Sequence, residues 1–206
     1  MRKSRNEESY YPEIMNFVKL QIESNFYTSK KPLKVYCKTG ELRKGLEEII
    51  NENGITATSI LEFAAKTPPL SLDIFGLITD GVLYELLILE VKLLNSVGLA
   101  QLSQLIGYCI VSNAQYGILI NVNGGESSRL TELLVNEPNL TCIKREIPVY
   151  KSTEISRDSA IVEHSLGVME WDSDTKNLIY TGYGGIKSMS DLCNKLSLRF
   201  RKNNVV

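Results

Sequence analysis

The sequence predicts an α/β fold, a mixed sheet with helices packed on it. Three observations carry that prediction. From Leu70 to Val122 two apolar runs flank a Thr79-Asp80-Gly81 turn signal, and a helix-forming run and a third apolar run follow; this is the pattern of a β-hairpin, a helix and a buried strand. Upstream, apolar residues recur at helical spacing on either side of a short strand-like run. At 206 residues and 43% hydrophobic content, the chain can bury a good core as one domain over 1–206. Within it we expect an N-terminal helix at 10–27, a core at about 41–145 and a C-terminal appendage at 146–206.

In chain order, residues 1–9 are charged and read as a loose end. Pro12 suits the first turn of a helix, and Ile14, Phe17, Val18 and Ile22 give that helix an apolar stripe. Residues 33–37 read as a short strand ended by Gly40. Residues 41–53 read as a second amphipathic helix, with Leu42, Leu46, Ile49 and Ile50 inward and Gly54 as its stop. Residues 56–66 read as the first core strand, turning at Thr67-Pro68-Pro69. After the hairpin come a loop at 93–98 and a helix at 99–111 with Leu99, Leu102, Ile106 and Ile110 on its inner face. Residues 116–122 are nearly continuously apolar, as a buried strand requires. A short helix at 129–136 and a strand at 140–143 complete the core. Residues 165–171 and 178–183 read as a hairpin with a polar loop at 172–177, and 190–200 as a final helix. Arg199, Arg201 and Lys202 make its end basic. That end either grips DNA, supports a dimer, or is a solvated terminus whose charge suits the helix dipole.

The hairpin carries charge where buried strands have none. Asp73 lies in the first run, Glu90 ends the second, and Lys92 follows two residues later. Such charges are costly unless they pair or bind metal. Strand alternation puts Glu90 and Lys92 on one face. With Asp80-Gly81 as a two-residue turn, Asp73 sits opposite Ile88, diagonal to Glu90 and on the face of Lys92; a three-residue turn would break this register. Two converging carboxylates suit a hard cation such as Mg²⁺ with waters completing its shell. A lysine beside it can hold or deprotonate a water, or neutralise a phosphate. Metal-assisted phosphodiester hydrolysis uses that set. The alternative is a structural ion pair at the sheet edge.

Asp73, sixteen intervening residues and then Glu90-Val91-Lys92 resembles the PD-(D/E)XK nuclease superfamily. That superfamily includes many restriction enzymes, RecB-like nucleases and archaeal Holliday-junction resolvases. Leu72 stands where the family motif has proline. Gln104 to Tyr108 resembles the QxxxY element of the RecB-like branch, and the resemblance spans about residues 55–122. It implies a restriction-endonuclease-like α-β-β-β-α-β core around a mixed central sheet, here with a C-terminal β-hairpin and helix added. It also implies that Asp73, Glu90 and the Val91 carbonyl hold Mg²⁺ or Mn²⁺. Lys92 would position or activate water, and Gln104 would orient Lys92 or touch the scissile phosphate. The family often adds a glutamate from the helix before its first strand. Glu47, Glu48 and Glu13 are candidates, with Glu47 preferred because its helix directly precedes the hairpin region; otherwise all three are solvated helix charges. The implied activity is a metal-dependent DNA endo- or exonuclease, on branched or recombination and repair intermediates, with a homodimer as in the small junction resolvases. The rivals are a non-catalytic DNA-binding or structural protein that keeps the fold, and an interaction protein with no nucleic-acid role. Small size and apolar strands also suit an archaeal or viral protein.

Composition narrows the rest. A net charge of −1 exerts no bulk pull on nucleic acid, so a DNA binder needs a local basic patch. No run is long and uncharged enough to span a membrane, and the N-terminus lacks the apolar core of a signal peptide; we expect a cytoplasmic protein, in the host cytoplasm if viral. Cys37, Cys109, Cys142 and Cys193 are far apart without a CxxC pair, so we expect buried thiols rather than zinc ligands. The lone His164 lies in a polar segment and reads as a surface residue, which leaves no Ser-His-Asp arrangement. Gly124-Gly125 lacks the phosphate-loop pattern. Tyr10 and Tyr11 read as packing beside Pro12, with base stacking as the functional alternative.

Overall fold

The computed structural model describes residues 6–27, 31–151 and 154–202. A 3-10 turn at Glu7–Tyr10 leads into α1 (Tyr11–Phe26), followed by β1 (Lys34–Glu41), α2 (Leu42–Asn53), α3 (Thr58–Lys66), β2 (Ser71–Thr79) and β3 (Tyr84–Lys92). Then come α4 (Leu99–Ser112), β4 (Tyr116–Asn121), α5 (Ser128–Asn136), β5 (Cys142–Lys151), β6 (Glu154–Asp172), β7 (Asn177–Gly184) and α6 (Met189–Lys202). The seven strands form one mixed sheet in the order β1-β2-β3-β4-β6-β5, with β7 also paired to β6. β1, β2 and β3 are antiparallel, whereas β3-β4 and β4-β6 are parallel. The chain is therefore an α/β protein with a mixed sheet between two helical layers. α1 and α6 cover one face through Ile14, Val18, Ile22, Leu192, Leu196 and Phe200. α2 to α5 cover the other through residues such as Leu46, Ile60, Leu105 and Leu130.

Several boundaries differ from the sequence expectation, each for a physical reason. Residues 58–66 are a helix, not the first core strand. Ile60 and Ala64 are buried one turn apart, and Pro68 and Pro69 end the helix rather than a strand. The first strand of the meander is β1, which runs past a register shift between Lys38 and Gly40 (φ 91°), where β2 carries the extra residue, to Glu41. Glu41 then accepts the Arg43 and Lys44 N–H groups at 3.0 and 3.4 Å and starts α2. The inner face of α4 is Leu102, Leu105, Cys109 and Ser112, while Leu99 is about half exposed. α4 lies close on β4 because position 117 is glycine. A Cβ there would come within 2.6 Å of the Cys109 sulfur and 2.7 Å of Leu166.

The strand expected at 140–143 begins at Cys142 and continues to Lys151. The C-terminal residues do not form a separate appendage. β6 runs for 19 residues and takes a place inside the sheet, parallel to β4. His164 is fully buried on it, against the surface expectation. Its Nδ1 lies 2.7 Å from the Ala114 carbonyl, and its Nε2 accepts from Arg145 Nε at 3.2 Å. All four cysteines are free; Cys109 and Cys193 are buried, and Cys37 and Cys142 are half-buried.

Candidate functional site

The hairpin turn sets the site. Thr79 pairs with Tyr84, so the connection has four residues rather than two. Asp80 explains why: its Oδ1 accepts the Val82 and Leu83 N–H groups, while Thr79 Oγ1 accepts from Gly81 (φ 93°) and donates to the Leu83 carbonyl. The register therefore moves by two residues from the expected one, and Phe75, not Asp73, faces Ile88. An even shift preserves the alternation, so the expected charges still meet. The β2-β3 ladder ends at Ile74 and Leu89. One residue further on, Asp73 supplies a side-chain acceptor where the ladder stops: its Oδ2 takes the Val91 N–H at 2.9 Å and Lys92 Nζ at 3.2 Å.

Lys92 Nζ also lies 2.7 Å from Glu90 Oε1 and 3.9 Å from Glu7 Oε1. One ammonium thus serves three carboxylates. The contact to Glu90 is an ion pair without hydrogen-bond geometry, and Glu90 Oε1 is a buried oxygen with no hydrogen-bond partner. Burial raises the Glu90 pKa and Lys92 opposes that; Asp73 and Glu7 push it further up. For Lys92, burial pulls downward, but Glu90 and Asp73 outweigh it and the ammonium is held above its ordinary value. Tyr11 completes the cluster. Its hydroxyl donates to Glu7 at 3.4 Å, and burial first, then Asp73 and Glu7, raise its pKa.

Glu7 was not expected here. It precedes α1 in the segment read as loose, and it is fixed because its Oε2 accepts the Leu93 N–H at 3.1 Å. The expected third acids lie elsewhere. Glu47 is exposed on α2, Glu48 pairs with Lys38 at 3.1 Å, and Glu13 pairs with Lys176 at 2.6 Å. Gln104 is exposed and donates to the Tyr108 hydroxyl at 2.9 Å; the hydrogen bonds of Asp73 and Lys92 at the cluster do not involve it. Asn121, also missed, is fully buried at the end of β4. Its Oδ1 accepts the Leu94 N–H at 3.1 Å, and its Nδ2 donates to the Leu94 and Gly125 carbonyls at 2.8 and 3.3 Å. It ties the loop after β3 to the loop after β4. A buried-strand run that ends in an amide was the signal available in the sequence.

At the other end of β3, Glu85 is 2% exposed and bonds to Arg199 of α6. Arg199 thus pairs with a buried acid while its own side chain stays about half exposed; Arg201 is exposed, and the Lys202 side chain lies outside the described residues.

The donor set fits a hard cation in kind. Two carboxylates converge from adjacent strands, and one of their oxygens is buried without a hydrogen-bond partner. Mg²⁺ keeps several waters and needs only one or two carboxylates from the protein. Among the described residues there is no preformed group of three or more His, Cys, Asp or Glu side chains arranged around a metal position; the ammonium of Lys92 stands between the acids. No described helix is long and apolar enough to cross a membrane. Comparison with family models, curated proteins and solved structures gives no match.

Proposed function

We propose that this chain is a metal-dependent nuclease of the PD-(D/E)XK type, acting on DNA. The observation that carries the reading is the convergence of Asp73, Glu90 and Lys92 at the end of β3, with Lys92 Nζ 3.2 Å from Asp73 and 2.7 Å from Glu90. Support comes also from the order α1-β1-β2-β3-α4-β4, antiparallel as far as β3 and then parallel to β4. The family resemblance implies an α-β-β-β-α-β order, and this order supports that reading, with α2 and α3 standing between β1 and β2. In this reading Asp73, Glu90 and the Val91 carbonyl hold Mg²⁺ or Mn²⁺, and Glu7, which leads the helix before the first strand, takes the role expected of Glu47. The ion, when bound, polarises the phosphate and activates a water. Lys92 positions that water or neutralises phosphate charge. Tyr11 and the Leu93 N–H hold Glu7 in place, and Asn121 holds the loop that carries Leu93. Affinity for DNA comes mostly from backbone phosphates and falls with salt. A homodimer on branched DNA remains part of the proposal through the family resemblance alone.

The test is cleavage of linear duplex, single-stranded, flap and four-way-junction DNA with Mg²⁺, Mn²⁺ or EDTA. Metal-dependent cutting that is lost in Asp73→Ala and Lys92→Ala, with their unfolding curves still cooperative, is the expected outcome. Cutting at the wild-type rate by either variant overturns the reading.

One observation favours a second reading. Lys92 already neutralises part of the cluster, and no preformed three-ligand group is present among the described residues. A non-catalytic DNA-binding or structural protein would keep the same charges as an ion network. It predicts DNA binding without metal and no loss of binding on substituting Lys92.

A further inference from the structure

We propose that the cleft between the start of α1 and the β1-β2 edge receives an unstacked nucleobase beside the phosphate under attack. The proposal rests on the nuclease reading and narrows its substrate class to strands with unpaired nucleotides: single strands, flaps or frayed ends.

The cleft has a volume of about 500 Å³ and includes Asp73 in its wall. A ligand in it therefore abuts the charge cluster. The charged residues lining it are Glu8 and Asp73, both acids, and no basic side chain lines it among the described residues. A phosphate is repelled from such a surface, whereas a neutral ring with amino groups is not. Tyr11 and Met15 offer an aromatic ring and a thioether to the face of a base. Thr39 and Ser71 bring exposed hydroxyls to its edge, and the exposed Glu8 carboxylate can accept from an exocyclic amine. Gly40, in its wall, borders open space, for a Cβ there would meet nothing within 4 Å. A base inside a duplex stack cannot reach a cleft of this kind without leaving its partner, which costs a few kcal/mol and is least costly in unpaired DNA. The charge pattern thus divides the substrate, with the phosphate toward Lys92 and the base toward Tyr11.

Two measurements test this. In the first, an abasic position is walked along a single-stranded substrate. One position should raise KM roughly tenfold, the size of one lost stacking contact, and single strands or flaps should be cut in preference to blunt duplex. Thr39→Trp, which fills the cleft, should raise KM on the intact strand and remove its sensitivity to the abasic position. In the second, binding is read without cleavage, from the fluorescence of 2-aminopurine in a single-stranded oligonucleotide titrated with the protein. A fluorescence change that Thr39→Trp abolishes supports the cleft. Cleavage with no sensitive abasic position, or no fluorescence change that depends on Thr39, overturns it. A Thr39-dependent change with no cleavage of any substrate overturns the nuclease reading while the base cleft stands.

Discussion

Glu90 is 1% exposed and shares a single lysine with Asp73 and Glu7. Because burial raises its pKa in the folded state, the folded protein binds this proton more tightly than the unfolded chain does. The ionised carboxylate therefore costs stability above the folded pKa, and that cost fades as pH falls through the folded pKa toward the ordinary value of 4.5. Glu90→Gln should accordingly stabilise the metal-free protein by about 1 kcal/mol at neutral pH while abolishing metal-dependent cleavage. Urea unfolding across pH measures the first effect; a net loss of stability at neutral pH would mean that the acid is structural. Glu7 and Glu47 give a paired test. Glu7→Gln should lower cleavage by about tenfold or more, as loss of a supporting ligand does, and Glu47→Gln should leave it unchanged. The cluster was legible in part for a simple reason. Asp73, Glu90 and Lys92 interrupt apolar strands, and charge there demands a partner. Glu7 sits in a polar end with no periodicity, and it is the bond to the Leu93 N–H, 86 residues away, that brings it to the end of β3, with Tyr11 and Lys92 beside it. Gln104 matched a motif by spacing, but spacing on a helix does not decide which face turns toward the sheet.

Element by element, periodicity located the helices well where one face is apolar, as in α1 and α2. It failed at residues 58–66, where a nine-residue helix with β-branched Thr58 and Ile60 at its start imitates a strand. It also failed to orient α4, because Leu99 and Ile110 mimic a stripe that the actual packing places one position away. That packing depends on Gly117. Gly117→Ala should cost about 1–3 kcal/mol through overpacking against Cys109 and Leu166; a neutral effect would show that α4 can shift. His164 joins the end of α4 to β5 and β6 through Ala114 and Arg145. Burial lowers its pKa, the Ala114 carbonyl opposes this and Arg145 adds to it. A histidine kept neutral by folding contributes stability that is present above its ordinary 6.5 and lost as pH falls through the folded value. Thermal unfolding followed from about pH 7 to 5 should show that loss, and His164→Gln should flatten it. An unchanged slope would mean that other groups govern the acid limb.

At the scale of the whole molecule, β3 carries a charged group at each end. Glu90 lies at one and Glu85 at the other, five residues or about 17 Å apart along a strand. The C-terminal part explains the second. The segment around His164 is polar and the strand reading begins only at Ser165, so the sequence offered only the apolar half of β6, and its pairing to β4 joins segments distant in the chain. α6 then closes the face that α1 covers, and Arg199 reaches Glu85 through that closure. Burial raises the Glu85 pKa and Arg199 works against it, while Glu85 Oε2 stays buried without a hydrogen-bond partner. Removing the arginine leaves an unpaired buried carboxylate, which costs about 3–5 kcal/mol for a fully buried pair. Arg199 is half in water, so Arg199→Ala should cost less, about 2 kcal/mol. Replacing both partners, as Glu85→Gln with Arg199→Met, should recover most of that loss, because no charge is then left behind. Urea unfolding of the three proteins measures the effect. Cleavage per folded molecule should be unchanged in Arg199→Ala, since the pair lies at the opposite end of the strand from Lys92. If instead cleavage or DNA affinity falls while stability holds, the basic end of α6 touches substrate, and the role of Arg199 is recognition rather than closure of the fold.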